Sequence, residues 1–149
     1  MTININWNSE QEIEVIDAIR GAIGRDVTFN IVASSTGCPD CSLDPVTNTS
    51  TDSFCQTCDG KYWIPVYSGV VVSGHITWGF SEQLGWYPGG QLDEGECRVQ
   101  IKYSDAMNSI VDETEWVTVD NKKMQIVKKI LRGVKGINRI LVDLIEKEG

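Results

Sequence analysis

The chain has 149 residues, 41% of them hydrophobic and five of them Trp, enough apolar material for one modest folded domain and too much for global disorder. Its 21 acidic and 13 basic residues give a net charge of −8, the wrong sign for a protein whose main task is to grip phosphates. No apolar run approaches the roughly 20 residues that a membrane-crossing helix needs, so no membrane role is expected. The charge is unevenly placed: residues 120–149 carry eight Lys/Arg against four Asp/Glu, which leaves the preceding residues strongly acidic. Such asymmetry suits different solvated faces, and it also suits head-to-tail packing of identical subunits.

The first residues, MTININWNSEQ, have neither the basic nor the apolar region of a secretory leader, so an oxidising compartment is not expected. Ser9-Glu10-Gln11-Glu12 has the form of a capping box, and Ile13, Ile16, Ile19 and Ile23 then recur at helical spacing. The pattern predicts an amphipathic helix of about fourteen residues, stopped by Gly24 and docked on something. Val27, Phe29, Ile31 and Ala33 alternate as a strand that runs straight into the cysteines.

Four cysteines in the pattern Cys38-x-x-Cys41 … Cys55-x-x-Cys58 are the most informative stretch, with thirteen residues between the halves. Two such knuckles close a tetrahedral shell of thiolates on one Zn²⁺ at about 2.3 Å. Pro39-Asp40 inside the first pair and Asp59-Gly60 after the second suit knuckle turns, Gly60 allowing a positive φ. The intervening LDPVTNTSTDSF reads as loop, ordered by the metal. The competing readings are two disulfides, a thioredoxin-type redox pair and a catalytic zinc. The compartment, the doubled motif and the filled coordination shell argue against each in turn. Cys97 reads as a small buried thiol in a strand and His75, the sole histidine, as a polar strand residue.

Beyond Cys58 the chain turns β-like. Ile64, Val66, Val70, Val72, Ile76 and Trp78 share a face, with a bend or bulge expected at Ser68-Gly69 or Gly74. A loop over residues 80–95 carries Gly85-Trp86-Tyr87-Pro88-Gly89-Gly90 and reads as a contact surface. Cys97, Val99, Ile101 and Tyr103 form a half-buried strand, and residues 104–115 a short helix or ordered loop. Trp116, Val117 and Val119 lead into a tight turn at Asp120-Asn121. The tail is ambiguous: Val127, Ile130, Val134, Ile137, Leu141 and Leu144 have the spacing of a helical seam, but Gly133, Gly136 and the β-branched content favour two strands joined near Gly133–Gly136.

Together these elements predict a mainly β (α+β) chain: one N-terminal amphipathic helix, a small closed barrel of five or six strands, and an inserted zinc-ribbon module built on the four cysteines. Residues 1–34 carry the helix and first strand, 35–62 the zinc-ribbon insertion, and 63–149 the β-barrel, which forms one compact domain with 1–34.

The stretch CPDCSLDPVTNTSTDSFCQTCDGKYW, read with the ending RGVKGINRILVDL, resembles neck proteins of tailed bacteriophages, the head–tail connector or head-closure (stopper) type. Gly74 to Trp78, Val119-Asp120-Asn121-Lys122 and Arg132-Gly133 … Ile137-Asn138-Arg139 fit the same pattern. The resemblance implies a virion protein that forms a homo-oligomeric ring below the portal, contacts portal/adaptor and tail proteins, and helps close the channel through which genomic DNA passes. An acidic lining would let that DNA slide without adhering. A structural Zn²⁺ on Cys38, Cys41, Cys55 and Cys58 would stiffen an arm for contacts between subunits. The family does not always carry these cysteines, so the arm's contact does not transfer from it.

The leading alternative is a zinc ribbon joined to an OB-like barrel that binds nucleic acid, with Trp86-Tyr87 stacking on bases; the charge opposes it because the basic residues do not interleave with those aromatics. Cys55-Gln56-Thr57-Cys58-Asp59-Gly60 also looks like part of the zinc repeat of J-domain co-chaperones, but it lacks the second Gly and the repeat number. No phosphate loop or Ser/His/Asp grouping is present, so an enzyme is not expected.

Overall fold

Val27 and Phe29, both fully buried, set the inward face of the strand that begins the barrel. The computed structural model describes residues 9–79, 96–133 and 138–147. Helix α1 (Ser9–Ile23) leads through Gly24 into β1 (Arg25–Gly37). Two short strands, β2 (Leu43–Asp44) and β3 (Thr49–Ser50), pair with each other before β4 (Trp63–Trp78). Then come β5 (Glu96–Lys102), helix α2 (Asp105–Glu113), β6 (Thr114–Val119), β7 (Lys122–Arg132) and β8 (Arg139–Glu146). Six strands close into a barrel in the order β1-β4-β5-β8-β7-β6, each pair antiparallel. Closure removes the free sheet edges that a domain of this size would otherwise have to protect.

Strands across the barrel supply the core from alternate positions: Val27 and Phe29 from β1, Cys97, Val99 and Ile101 from β5, Val117 and Val119 from β6, Ile140, Val142 and Leu144 from β8. Helix α2 adds Met107 and Val111 to the same cluster. Its start is fixed by Ser104, whose hydroxyl accepts from the Met107 amide at 3.0 Å, a cap that stabilises by about 1 kcal/mol. Lys129 of β7 donates to Asn108 and Asp112 and ties the helix to the wall. The predicted turn at Asp120-Asn121 joins β6 to β7 with both residues at positive φ (47° and 64°). Asp120 then accepts from the Trp78 indole at 3.1 Å and pairs with Arg25 at 2.9 Å, holding the turn against the neighbouring strands.

On the outward side, opposite Cys97 and Val99, Arg98 is 2% exposed and makes a bidentate pair with Asp143, at 2.5 and 2.7 Å. Two parallel hydrogen bonds suit the guanidinium fork and hold β5 to β8 in register.

Three expectations change. Gly24 does end the helix, but without a positive φ: a Cβ there would lie 2.5 Å from the Ser73 hydroxyl, so close approach of helix to strand selects the glycine. The irregularity in the long hairpin falls on β1, between Val32 and Ser34, and not at Ser68-Gly69 or Gly74. Helix α1 does not bury its apolar face: Val15, Ile19 and Ile23 are each more than half exposed. It is tied to the barrel by Asp17, which pairs with Lys102 at 3.3 Å. The aromatic loop at 80–95, with Trp86 and Tyr87, lies outside the described residues, as do positions 134–137 in the β7–β8 connection and the side chains of the capping box.

The feature that positions the cysteines is the length of the β1–β4 hairpin. Its pairing runs from Arg25↔Gly74 to Gly37↔Trp63. The barrel takes only part of it: β6 pairs with β1 as far as Ile31, and β5 pairs with β4 only from His75 to Trp78. Val32–Gly37 and the facing part of β4 therefore leave the barrel as a two-stranded arm, roughly 20 Å long at the usual rise per residue. Every residue from Val32 to Gly37 is exposed, and Pro65 removes one amide from the opposite edge. The first strand thus continues past residue 34, and the cysteines occupy the tip.

Candidate metal centre

The ladder of the arm ends in one further bond, Cys38 N–H to the Tyr62 carbonyl at 2.8 Å, which brings the two halves of the cysteine motif face to face. The chain between them is not wholly loop, as its composition suggested. Leu43↔Ser50 and Asp44↔Thr49 pair, the Asp44 carboxylate accepts from Val46 N–H at 2.8 Å, and Asn48 turns the corner at φ 56°. In the second knuckle the Asp52 carboxylate accepts from Phe54 N–H at 3.0 Å and its carbonyl from Cys55 N–H at 3.3 Å. Gly60 follows at φ 72°, as predicted, and Asp59 before it is also at positive φ, 49°. Gly60 is doubly required, since a Cβ there would lie 2.7 Å from the Ser53 carbonyl oxygen. The knuckles are tied directly by the Thr57 hydroxyl donating to Asp40 at 2.5 Å.

These turns bring the sulfurs of Cys38, Cys41, Cys55 and Cys58 to within 4.8 Å of one another. Cys38 Sγ lies 3.7 Å from Cys55 Sγ, and Cys41 Sγ lies 3.6 Å from Cys58 Sγ. A regular tetrahedron with Zn–S bonds of about 2.3 Å has edges of about 3.8 Å. The close pairs cross between knuckles, whereas disulfides within each Cys-x-x-Cys would bring the sulfurs together inside a knuckle, and all five cysteines are free thiols. Cys38, Cys55 and Cys58 are buried and Cys41 half-buried. The cluster is geometrically suited to hold a metal ion such as Zn²⁺, and four soft thiolate donors are the set that ion prefers.

The electrostatics of the thiols fit the same use. Burial works against the Cys58 thiolate, but the Tyr62 amide and the neighbouring thiols of Cys41, Cys55 and Cys38 donate to its sulfur and bring it down to about 7. Cys41 is favoured as a thiolate by the Ser50 hydroxyl, yet burial and the other three sulfurs outweigh that and push it up to about 12. Burial also raises Cys38, against a hydrogen bond from the Asp40 backbone. One sulfur is ready to start coordination; a dication would draw the protons from the rest.

Among the described residues this is the one group of three or more His, Cys, Asp or Glu side chains close enough to share an ion. Cys97 lies apart in the barrel core, fully buried, its thiol pushed up to about 12 by burial. His75 is half-buried on β4 opposite Gln100, where it lines a groove under α1. Sequence reasoning missed two participants: Ser50, buried beside Cys41, and Phe54, which the Asp52 turn holds 91% exposed at the tip. A serine nine residues after a zinc-binding cysteine carries no signal of its own. No protein-family model matches the chain, and no curated protein matches it either.

Proposed function

We propose that this chain is a structural, self-assembling protein of the tailed-bacteriophage neck, a ring below the portal that joins head to tail and helps close the DNA channel. The observation that carries the reading is the arm: a metal-stapled tip projecting about 20 Å from a closed barrel, with every residue from Val32 to Gly37 exposed. A rigid projection with an exposed aromatic is built to touch another molecule. The sequence resemblance set out above supplies the setting, and the net charge of −8 suits a channel past which DNA must slide. On this reading the cysteines bind structural Zn²⁺, no residue acts catalytically, and the partners are further copies, portal or adaptor proteins and tail proteins within the virion.

The test is genetic and structural. Phage carrying a nonsense codon in this gene should yield packaged heads without tails, and labelled protein in complemented particles should sit at the head–tail junction. Normal tailed particles from the mutant would overturn the proposal.

A second reading, nucleic-acid binding, draws on one cluster. Trp116 faces outward from β6, with Tyr67 edge-on at 4.3 Å between centroids and the Lys123 ammonium 4.6 Å from its centroid. Electrophoretic titration with single-stranded and duplex DNA at low salt separates the two: tight, salt-sensitive binding would favour this alternative.

A further inference from the structure

Two surfaces of the molecule lack a partner among the described residues, and they lie at opposite ends of one hairpin. At the tip, Phe54 is 91% and Val46 90% exposed. Residues 38–62 carry four Asp against one Lys, and four thiolates around a dication would add two further negative charges. At the root, α1 and strands β4 and β5 enclose a groove of about 320 Å³ lined by Ile16, Ile19, Ile23, His75 and Gln100. Its neighbouring hollow is lined by Asp17, Arg20 and Lys102. Arg139 pairs in register with Lys102, acts electrostatically on Arg20, and has a buried Nε with no hydrogen-bond partner. In that lining Arg20 and Lys102 share the carboxylate of Asp17, and Arg139 stands beside Lys102 on the next strand. The tip is apolar and acidic; the groove is apolar with a basic rim.

We propose that the arm tip around Phe54 seats in the α1 groove of a second copy of this chain, its carboxylates facing Lys102, Arg20 and Arg139. The inference deepens the self-assembly reading above and rests on it. A molecule cannot satisfy itself in this way, because groove and tip are about 40 Å apart along twelve paired residues of a stiff ribbon. Tip and groove are different surfaces, so the contact is head-to-tail, and repeating it gives a ring where the rotation closes. It also accounts for the apolar face of α1, which the exposed Val15, Ile19 and Ile23 leave open among the described residues. The metal's part is to fix the turn between Asp52 and Cys55, so that Phe54 arrives pre-ordered.

The decisive experiment uses the full, zinc-loaded chain in sedimentation velocity over a range of concentrations. Phe54→Glu disables the tip and Ile19→Glu disables the groove; both side chains are more than half exposed, so circular dichroism should show unchanged folding. Wild type should associate, and each variant alone should weaken association by about tenfold or more. An equimolar mixture of the two variants should regain one intact interface per pair and stop at dimers. Wild type that stays monomeric up to its solubility limit, or a mixture no more associated than its components, would overturn the contact. If instead both variants assemble as wild type does, this contact is wrong while self-assembly stands. Whether the protein belongs to the neck is decided separately by its place in the particle.

Discussion

Removing the metal should melt the tip of the arm and leave the barrel standing. The small cluster at the tip consists of Cys38, Cys55 and Cys58, with Cys41, Tyr62 and Ile64 against it. Only two of those six side chains are not ligands, and burying a large apolar side chain gives about 1.5–3 kcal/mol. Structural zinc bound by four cysteines contributes about 10–16 kcal/mol, severalfold more than everything else the tip can offer. The barrel has its own core, which includes none of the four cysteines, and its closure uses β1 only as far as Ile31. Amide exchange before and after a strong chelator is the assay. Residues 38–62 should lose protection almost completely, while Val27, Val99, Val117 and Val142 keep theirs. The untreated protein should contain one zinc per chain and take up Co²⁺ with the visible absorption of a tetrahedral thiolate site. Barrel amides that exchange in step with the tip, or a tip still protected without metal, would refute the separation of the two clusters.

Other outcomes follow from the same structure. After chelation four cysteines should alkylate quickly, and Cys97, fully buried with a thiol pushed up to about 12, only when the barrel itself is denatured; mass spectrometry counts the adducts. Zinc affinity should rise with pH, because protons compete for the thiolates. Below about pH 7 Cys58 must also lose a proton to bind, so the slope of log affinity against pH should steepen there by about one unit, readable with a metal-competing dye. Asp143→Ala removes the bidentate partner of the buried Arg98 guanidinium and should cost about 3–5 kcal/mol in urea unfolding. Gly60→Ala forces a Cβ against the Ser53 carbonyl at a positive φ and should destabilise the metal-bound tip by at least about 1 kcal/mol, seen as faster zinc loss without a change in the barrel's unfolding midpoint.

The features legible in the sequence are those set by local chemistry. Cys-x-x-Cys pairs, the Asp59-Gly60 corner and the Asp120-Asn121 turn each depend on a few adjacent residues, and each is found where its spacing put it. The tail carries two competing patterns, and the reading favoured above, two strands, is what the structure has in β7 and β8. The register of β7 shifts between Ile126 and Lys128, so Met124 and Ile126 face inward, Val127 is left exposed, and Lys129 and Leu131 then pair with the inward Val142 and Ile140. Met124, Ile126, Lys129 and Leu131 thus share a side of β7, a break in strict alternation that no period-two pattern reveals. The closing of the barrel was not legible in detail, because β1 meets β6 across more than eighty residues, at Ile31↔Thr114.

Helix α1 is the instructive discrepancy. Its isoleucines recur at helical spacing, as they would on a helix docked to its own core, yet Ile16, Ile19 and Ile23 are exposed and stand apart from the barrel core. Periodicity reports that an apolar face exists; it does not say whether the surface that covers it belongs to the same chain. The arm poses the matching problem, since a two-stranded ribbon alone is marginal in water and this one is held at one end by the barrel and at the other by four thiols. A tip of about 25 residues cannot build a core that would stiffen it. A metal supplies that stiffness from four side chains, and it leaves the remaining surface of the tip, Phe54 and its aspartates, free to be shaped by whatever it touches. On the proposed contact the acidic tip would meet Arg20 and Lys102 beside α1, both outside the basic stretch 120–149, so the charge that matters is where the fold places it and not where it lies along the chain.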